Sequence, residues 1–246
     1  MCQSLLNYDL RFQDIFSFGK IKPPSLCKEC QSQVCLIEPS KDGCFACSRP
    51  LSRESQDPFH LAYDKDDVTY CYDCYRWSFT YPLELIQHQS LFKYNDFIRE
   101  WLYRYKYQAD IRLAQVISDH LNKIYQDYAS YVWTILPSSP SSYQQRGFHA
   151  TEQLLKLADI PYTSIFDYQG DGRRQAQKTR QERLKLKSPF KLKQDKIHPK
   201  ETYLIFDDVY TTGTTMLKAK FELYHYYQSQ LLYKKTIKSL SLARDI

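Results

Sequence analysis

One segment constrains the fold of this 246-residue chain more than any other: Tyr203-Leu-Ile-Phe-Asp207-Asp208-Val-Tyr-Thr211-Thr212-Gly213-Thr214-Thr215. Leu204, Ile205 and Phe206 form a short apolar run suited to a strand buried on both faces, as in a parallel sheet. Met216 to Tyr227 reads as a helix, with Leu217, Lys218, Ala219, Lys220 and Leu223 all good formers. The two acids and the hydroxyl-rich turn therefore sit at the carboxyl end of a strand and the start of a helix. Ligands of open α/β sheets bind at that place. Backbone N–H groups and the helix dipole there favour a phosphate.

The residue types narrow the ligand. A phosphorylated ribose needs donors for its 5'-phosphate and acceptors for its 2'- and 3'-hydroxyls. Thr211, Thr212, Thr214 and Thr215 supply hydroxyls, and Gly213 lets the backbone approach closely. Asp207 and Asp208, when ionised, only accept hydrogen bonds and suit the sugar. Two carboxylates beside a phosphate would repel it, unless they hold the sugar while the turn holds the phosphate. The plainer alternative is a solvated acidic turn with threonine helix caps. A Walker A loop is excluded, because no Gly-Lys-Ser/Thr ending is present and the acids precede the turn. The segment resembles the signature of type I phosphoribosyltransferases, which bind phosphoribosyl pyrophosphate (PRPP).

All eight cysteines fall in the first third of the chain: Cys2, Cys27, Cys30, Cys35, Cys44, Cys47, Cys71 and Cys74. Six of them make three C-x-x-C pairs. The start of the chain has neither a basic stretch nor a long apolar segment and does not read as a signal peptide. No apolar run is long enough for a membrane span. A cytoplasmic location is the expectation, and there such spacing favours thiolate-bound zinc over disulfides. The best four-ligand set is Cys44, Cys47, Cys71 and Cys74, a closed structural site. Cys27 and Cys30 are left over and could recruit Cys35 or Cys2.

Residues 1 to 82 are expected to form the cysteine module and 83 to 246 the larger domain. After Pro82 a helical stretch carries Phe97, Ile98, Trp101, Leu102 and Tyr105 on one stripe, and Ile111, Ala114, Ile117, Leu121 and Ile124 on a second. Tyr131 to Leu136 reads as a strand. The polar connection Pro137 to Arg146 follows it, where Ser138, Ser139 and Arg146 could meet an anion. A helix with Ala150, Thr151, Leu154, Leu155 and Ala158 on one face comes next, then a strand from Tyr162 to Phe166. Residues 168 to 200 read mostly as a loop, and a last strand is expected near Thr236 to Ala243. Strands alternating with helices imply a parallel sheet. Between Asp171 and Lys200, eleven Lys and Arg face three acids. Such a segment could close over a pyrophosphate, hold a nucleic-acid backbone, or be a solvated surface.

Together these segments resemble the ComF family, specifically its ComFC-type competence proteins. The resemblance rests on the C-x-x-C pairs, Tyr105-Lys106-Tyr107 with Asp110, Gln145-Arg146-Gly147-Phe148, the Asp207-to-Thr215 signature, and the basic stretch from Gln175 to Phe190. Ala109 stands where the family usually has glycine, and the first cysteine knuckle is reduced to Cys2. The resemblance implies an α/β fold: a type I phosphoribosyltransferase-like parallel sheet flanked by helices, with a small four-cysteine zinc-ribbon module. It implies a role in natural transformation, handling incoming single-stranded DNA alongside a DEAD-box-like helicase. Asp207 and Asp208 would take the ribose hydroxyls, and Thr211 to Thr215 the 5'-phosphate. The Pro137 to Arg146 segment would lie near the pyrophosphate, whose Mg2+ arrives with the ligand. Arg173, Arg174, Lys178, Arg180 and Arg183 are the candidate DNA-binding residues. An active phosphoribosyltransferase with an unidentified acceptor is the alternative.

Overall fold

The computed structural model describes residues 2, 24–38, 40, 42–82, 85, 87–170, 188–198, 202–230 and 236–244. Near the amino end lie α1 (Lys28–Ser32), the strands β1 (Tyr63–Lys65) and β2 (Val68–Tyr70), and α2 (Tyr72–Trp77). Then come β3 (His88–Lys93), α3 (Asp96–Tyr107), a 3-10 turn at Ile111–Ala114 that leads into α4 (Gln115–Asp127), and β4 (Val132–Ile135). They are followed by α5 (Pro140–Arg146), α6 (Ala150–Leu157), β5 (Phe166–Tyr168) and β6 (Phe190–Leu192). The chain closes with β7 (Tyr203–Tyr210), α7 (Thr214–Ser229) and β8 (Lys238–Arg244).

Four strands form one parallel sheet in the order β3-β8-β7-β4. β7 is central: Ile205 lies opposite Thr134 of β4 on one side and Ser239 of β8 on the other. Side chains alternate across its two faces. Leu204 and Phe206 pack with Trp101, Tyr105, Ile117 and Leu154, so α3, α4 and α6 cover one face. Tyr203 and Ile205 pack with Met216, Ala219 and Leu223 of α7 on the other. The cysteine quartet and the β5–β6 hairpin (Phe166, Phe190) belong to that second core. Burying both faces explains why the run 203–206 is apolar without alternation.

The sheet contains a strand that the sequence pattern does not announce. β3 carries His88 and Ser90, both buried, which hides it from hydrophobic patterning. Its polar atoms are paired: His88 Nδ1 lies 2.9 Å from Ser239 Oγ and Nε2 lies 3.0 Å from Ser90 Oγ, while Ser90 and Ser241 hydroxyls meet at 2.7 Å. Burial, above all, pushes His88 well below the usual histidine range and keeps it neutral.

Two further segments differ from expectation. The stretch from Tyr162 leads to a strand only at Phe166–Tyr168, which pairs antiparallel with β6 instead of joining the large sheet. The N–H of Thr163 alone reaches β4, donating to the Trp133 carbonyl at 2.8 Å. The connection after β4 is not wholly loop. Ser139 accepts from the Ser142 N–H (3.2 Å), Pro140 opens α5, and Gly147 closes it at φ 77°.

α3 ends on a position that suits glycine. Ala109 follows the helix at φ 54°, and the Asp110 N–H turns back to the Arg104 carbonyl at 3.3 Å. A left-handed residue at a helix end costs an L-amino acid roughly 1 kcal/mol. Ala109→Gly is therefore expected to raise unfolding stability by about 0.5–1 kcal/mol, measured by urea denaturation. An unchanged or lower midpoint would contradict this account of the turn.

Candidate functional site

β7 continues through both acids. Asp208 faces α3, where Lys106 forms an ion pair with its carboxylate; both side chains are largely buried. The Oδ1 of Asp207 accepts the Asp208 N–H at 2.9 Å. Burial first, and then the neighbouring charge of Asp208, push the Asp207 carboxyl up to about 7; Lys106 and Arg146 pull against that shift.

The turn after β7 is shaped by Gly213, at φ 77° in the N-cap position of α7. A Cβ there would lie 2.4 Å from the Tyr210 hydroxyl, so both conformation and space require glycine. Thr212 and Thr214 hydroxyls meet at 2.8 Å behind the turn. Thr214, Thr215 and Met216 begin a sixteen-residue helix, whose first N–H groups have no acceptor within the helix.

Because β4 is the neighbour of β7, the segment after β4 stands across from this turn. Arg146 folds back along α5: Nη2 donates to Ser138 Oγ (3.0 Å) and Nε to the Ser142 carbonyl (3.1 Å). The two strand ends enclose a cavity of about 420 Å3 lined by Ser138, Ser139, Arg146, Asp207, Asp208, Thr211 and Thr215. Thr212, Gly213 and Thr214 shape the turn without lining it. The same wall includes Lys106, Tyr107, Tyr168 and Phe190, for which the motifs alone specify no role in the site. The signal for Lys106 is its place beside Tyr105, the last residue of a buried helical stripe that aims the helix end at β7. A larger hollow of about 730 Å3 lies between β6 and α7. Its walls carry mixed charge, part of it already paired, as in Lys193 with Asp167 at 2.9 Å.

The candidate zinc ligands converge. Cys44, Cys47, Cys71 and Cys74 are all buried, with their sulfurs within 4.8 Å of one another. Hydrogen bonding inside the cluster, with Cys44 first, holds the Cys47 thiol well below its ordinary range and pushes Cys71 up. Four sulfurs this close suit one tetrahedral zinc ion, which would replace the shared protons. The buried Arg244 donates to the Cys47 carbonyl and brings positive charge against the thiolates. A second group, Cys2, Cys27 and Cys30, is similarly close, with Cys2 Sγ 3.3 Å from each of the other two sulfurs. Cys2, not Cys35, completes it. The five candidate DNA-binding residues, Arg173, Arg174, Lys178, Arg180 and Arg183, lie outside the described residues. No helix among the described residues is long and apolar enough to cross a membrane.

No family profile matches the chain. Two curated proteins do. It is 30% identical over 177 residues to competence protein ComFC of Streptococcus pneumoniae (strain ATCC BAA-255 / R6), covering 72% of this chain and 79% of that protein. It is 27% identical over 207 residues to competence protein ComFC of Bacillus subtilis (strain 168), covering 78% and 85% respectively.

The raised Asp207 carboxyl gives a pH signature. Its folded value, about 7, lies above that of the unfolded chain, near 4. The folded state thus binds the extra proton, and stability falls as pH rises from about 4 to about 7. Asp207→Asn is expected to remove this limb from a denaturation-versus-pH series. Lys106→Met, which removes an opposing charge, is expected to extend it above 7. Identical profiles for wild type and Asp207→Asn would contradict the assignment.

Proposed function

This chain belongs to the ComFC family of competence proteins, and on that footing we propose that it binds PRPP, or a closely related phosphoribosyl ligand, while handling single-stranded DNA in natural transformation. One observation carries the reading of the pocket. Two carboxylates, the start of α7 and an arginine-braced serine turn converge on one cavity of about 420 Å3. That volume lies within the range of small-molecule sites.

In this reading Asp207 and Asp208 accept the ribose hydroxyls. Thr211, Thr215 and the first N–H groups of α7 hold the 5'-phosphate. Ser138, Ser139 and Arg146 meet the pyrophosphate, with Mg2+ carried on its oxygens. Lys106 explains how two acids tolerate a polyanion: Asp208 is already neutralised by its ion pair. Burial and the neighbouring Asp208 charge raise the proton affinity of Asp207, which lessens its negative charge. The four cysteines would hold zinc in a structural role, since an ion bound by all four sulfurs would keep no open position for a substrate. The DEAD-box-like helicase belongs to the proposal as a partner through family resemblance.

A second reading is favoured by the aromatic side of the cavity. Tyr107, Tyr168 and Phe190 also line it, and aromatic side chains suit a flat acceptor. An active phosphoribosyltransferase would place an acceptor there and rely on positioning and charge stabilisation at the ribose carbon.

Calorimetry with PRPP and Mg2+ tests the site. Wild type is expected to bind. Asp207→Asn combined with Asp208→Asn is expected to weaken binding by about 10-fold or more, since each lost charged hydrogen bond removes roughly 1.5–3 kcal/mol. A pyrophosphate-release assay across nucleobases and amines separates binding from turnover, and wild-type transformation by the double variant would argue against any role for the pocket.

Single-strand binding through the basic segment makes a separate expectation. Affinity should fall steeply with salt. Arg180→Ala with Arg183→Ala should reduce the log–log slope by about 0.7 for each DNA phosphate that is no longer neutralised. A salt-independent affinity would exclude the electrostatic account.

A further inference from the structure

The phosphate turn is tied to the cysteine module by a hydrogen bond that neither the sequence motif nor the family comparison assigns. Cys71 caps α2, Cys74 sits one turn in, and Trp77 one turn further. The three recur at a spacing of three and share one face of the helix. Trp77 is buried, and its indole Nε1–H donates to the Thr212 carbonyl at 2.9 Å. Tyr81 packs against the indole at 5.5 Å and meets Phe221 of α7 edge-on at 5.7 Å. The helix that holds two of the four quartet sulfurs is thus seated on the first half of the phosphate-binding helix.

A second link reaches the same turn from the other cysteine pair. Arg244 donates to the Cys47 carbonyl and lies over the Tyr210 ring at 5.0 Å. Tyr210 also stacks on His88 at 3.8 Å. Its hydroxyl fills the space where a Cβ on Gly213 would lie.

The physical consequence concerns one peptide plane. In a trans peptide the carbonyl and the following N–H point in opposite directions. Holding the Thr212 carbonyl on the indole therefore aims the Gly213 N–H away from Trp77. Glycine lowers the barrier to rotating such a plane, because it tolerates conformations closed to other residues. Gly213 lies between Thr211 and Thr215, which line the cavity, so rotating this plane would shift their groups.

We infer that Trp77 is a positioning residue for the phosphate turn, fixing the Thr212–Gly213 peptide and with it the flanking Thr211 and Thr215, and so linking metal retention by the quartet to phosphoester binding. The inference rests on the phosphoribosyl reading of the pocket. If the metal favours the binding-competent turn, linkage requires a phosphoester ligand to raise metal affinity by the same factor.

The test uses the full-length, zinc-loaded chain with ribose 5-phosphate as probe. Trp77→Phe keeps the ring and deletes the donor. It is expected to weaken ribose 5-phosphate and PRPP by a common factor of roughly 5, the equivalent of one neutral hydrogen bond. Zinc content should remain that of wild type. In wild type, saturating ribose 5-phosphate should raise zinc affinity, measured by competition with a chelator, by several-fold; in Trp77→Phe that gain should shrink toward none. The zinc competition in wild type needs no variant, so it stands even if Trp77→Phe folds poorly. If wild type binds ribose 5-phosphate while zinc affinity ignores the ligand, or Trp77→Phe binds it equally well, the coupling is wrong and the pocket reading stands. If wild type binds neither ribose 5-phosphate nor PRPP, the pocket reading fails and takes the coupling with it.

Discussion

The organisation of this protein depends on β7 being paired on both edges and covered on both faces. Tyr203, Leu204, Ile205 and Phe206 are fully buried between β4 and β8. Such a strand has no room for charge along its length, so polar groups can emerge only at its carboxyl end. Asp207 and Asp208 stand there and line one cavity. Lys106 at the end of α3 pairs with Asp208 there. The parallel register also sets the end of β4 beside them, so Ser138 and Arg146 need no long excursion to reach the same hollow.

Electrostatics at this point are balanced locally. Two adjacent acids would make a poor seat for a phosphoester in isolation. The ion pair with Lys106 neutralises Asp208 inside the fold, and burial raises the proton affinity of Asp207. Arg146 is braced by two oxygen acceptors before any ligand arrives, which lowers the cost of ordering its long side chain. The site is thus a pre-set arrangement of donors and partly masked acceptors, and not a bare acidic rim.

Much of this was legible in the residues, for identifiable reasons. The strand–turn–helix at 203–229 announces itself because an unbroken apolar run, two acids and a lone glycine each permit few structures. The stripes in α3 and α6 follow from helical periodicity, and the cysteine quartet follows from pair spacing. The parts that escaped are those where polar residues hold the fold together. β3 opens with His88 and Ser90, whose buried polar atoms find partners more than 150 residues away in Ser239 and Ser241. The pairing of Phe166–Tyr168 outside the large sheet depends on β6, which no local pattern specifies. Lys106 and Trp77 were visible as letters, but their partners, Asp208 and Thr212, are fixed only by the packing of α3 and α2.

The cysteine segment meets the sheet on both sides. Cys30 belongs to the core under α3 and α4, with the Leu36 backbone bridged to Phe92 at the β3 edge. The quartet belongs to the opposite core, against Ile205, Tyr210 and Met216. Excising this segment would strip apolar cover from Phe92 and from Met216 at once, leaving wounds on two unconnected surfaces. It follows that the segment is interlocked with its host and is not a detachable cassette. Grafting a foreign cysteine module in its place would have to reproduce two separate interfaces.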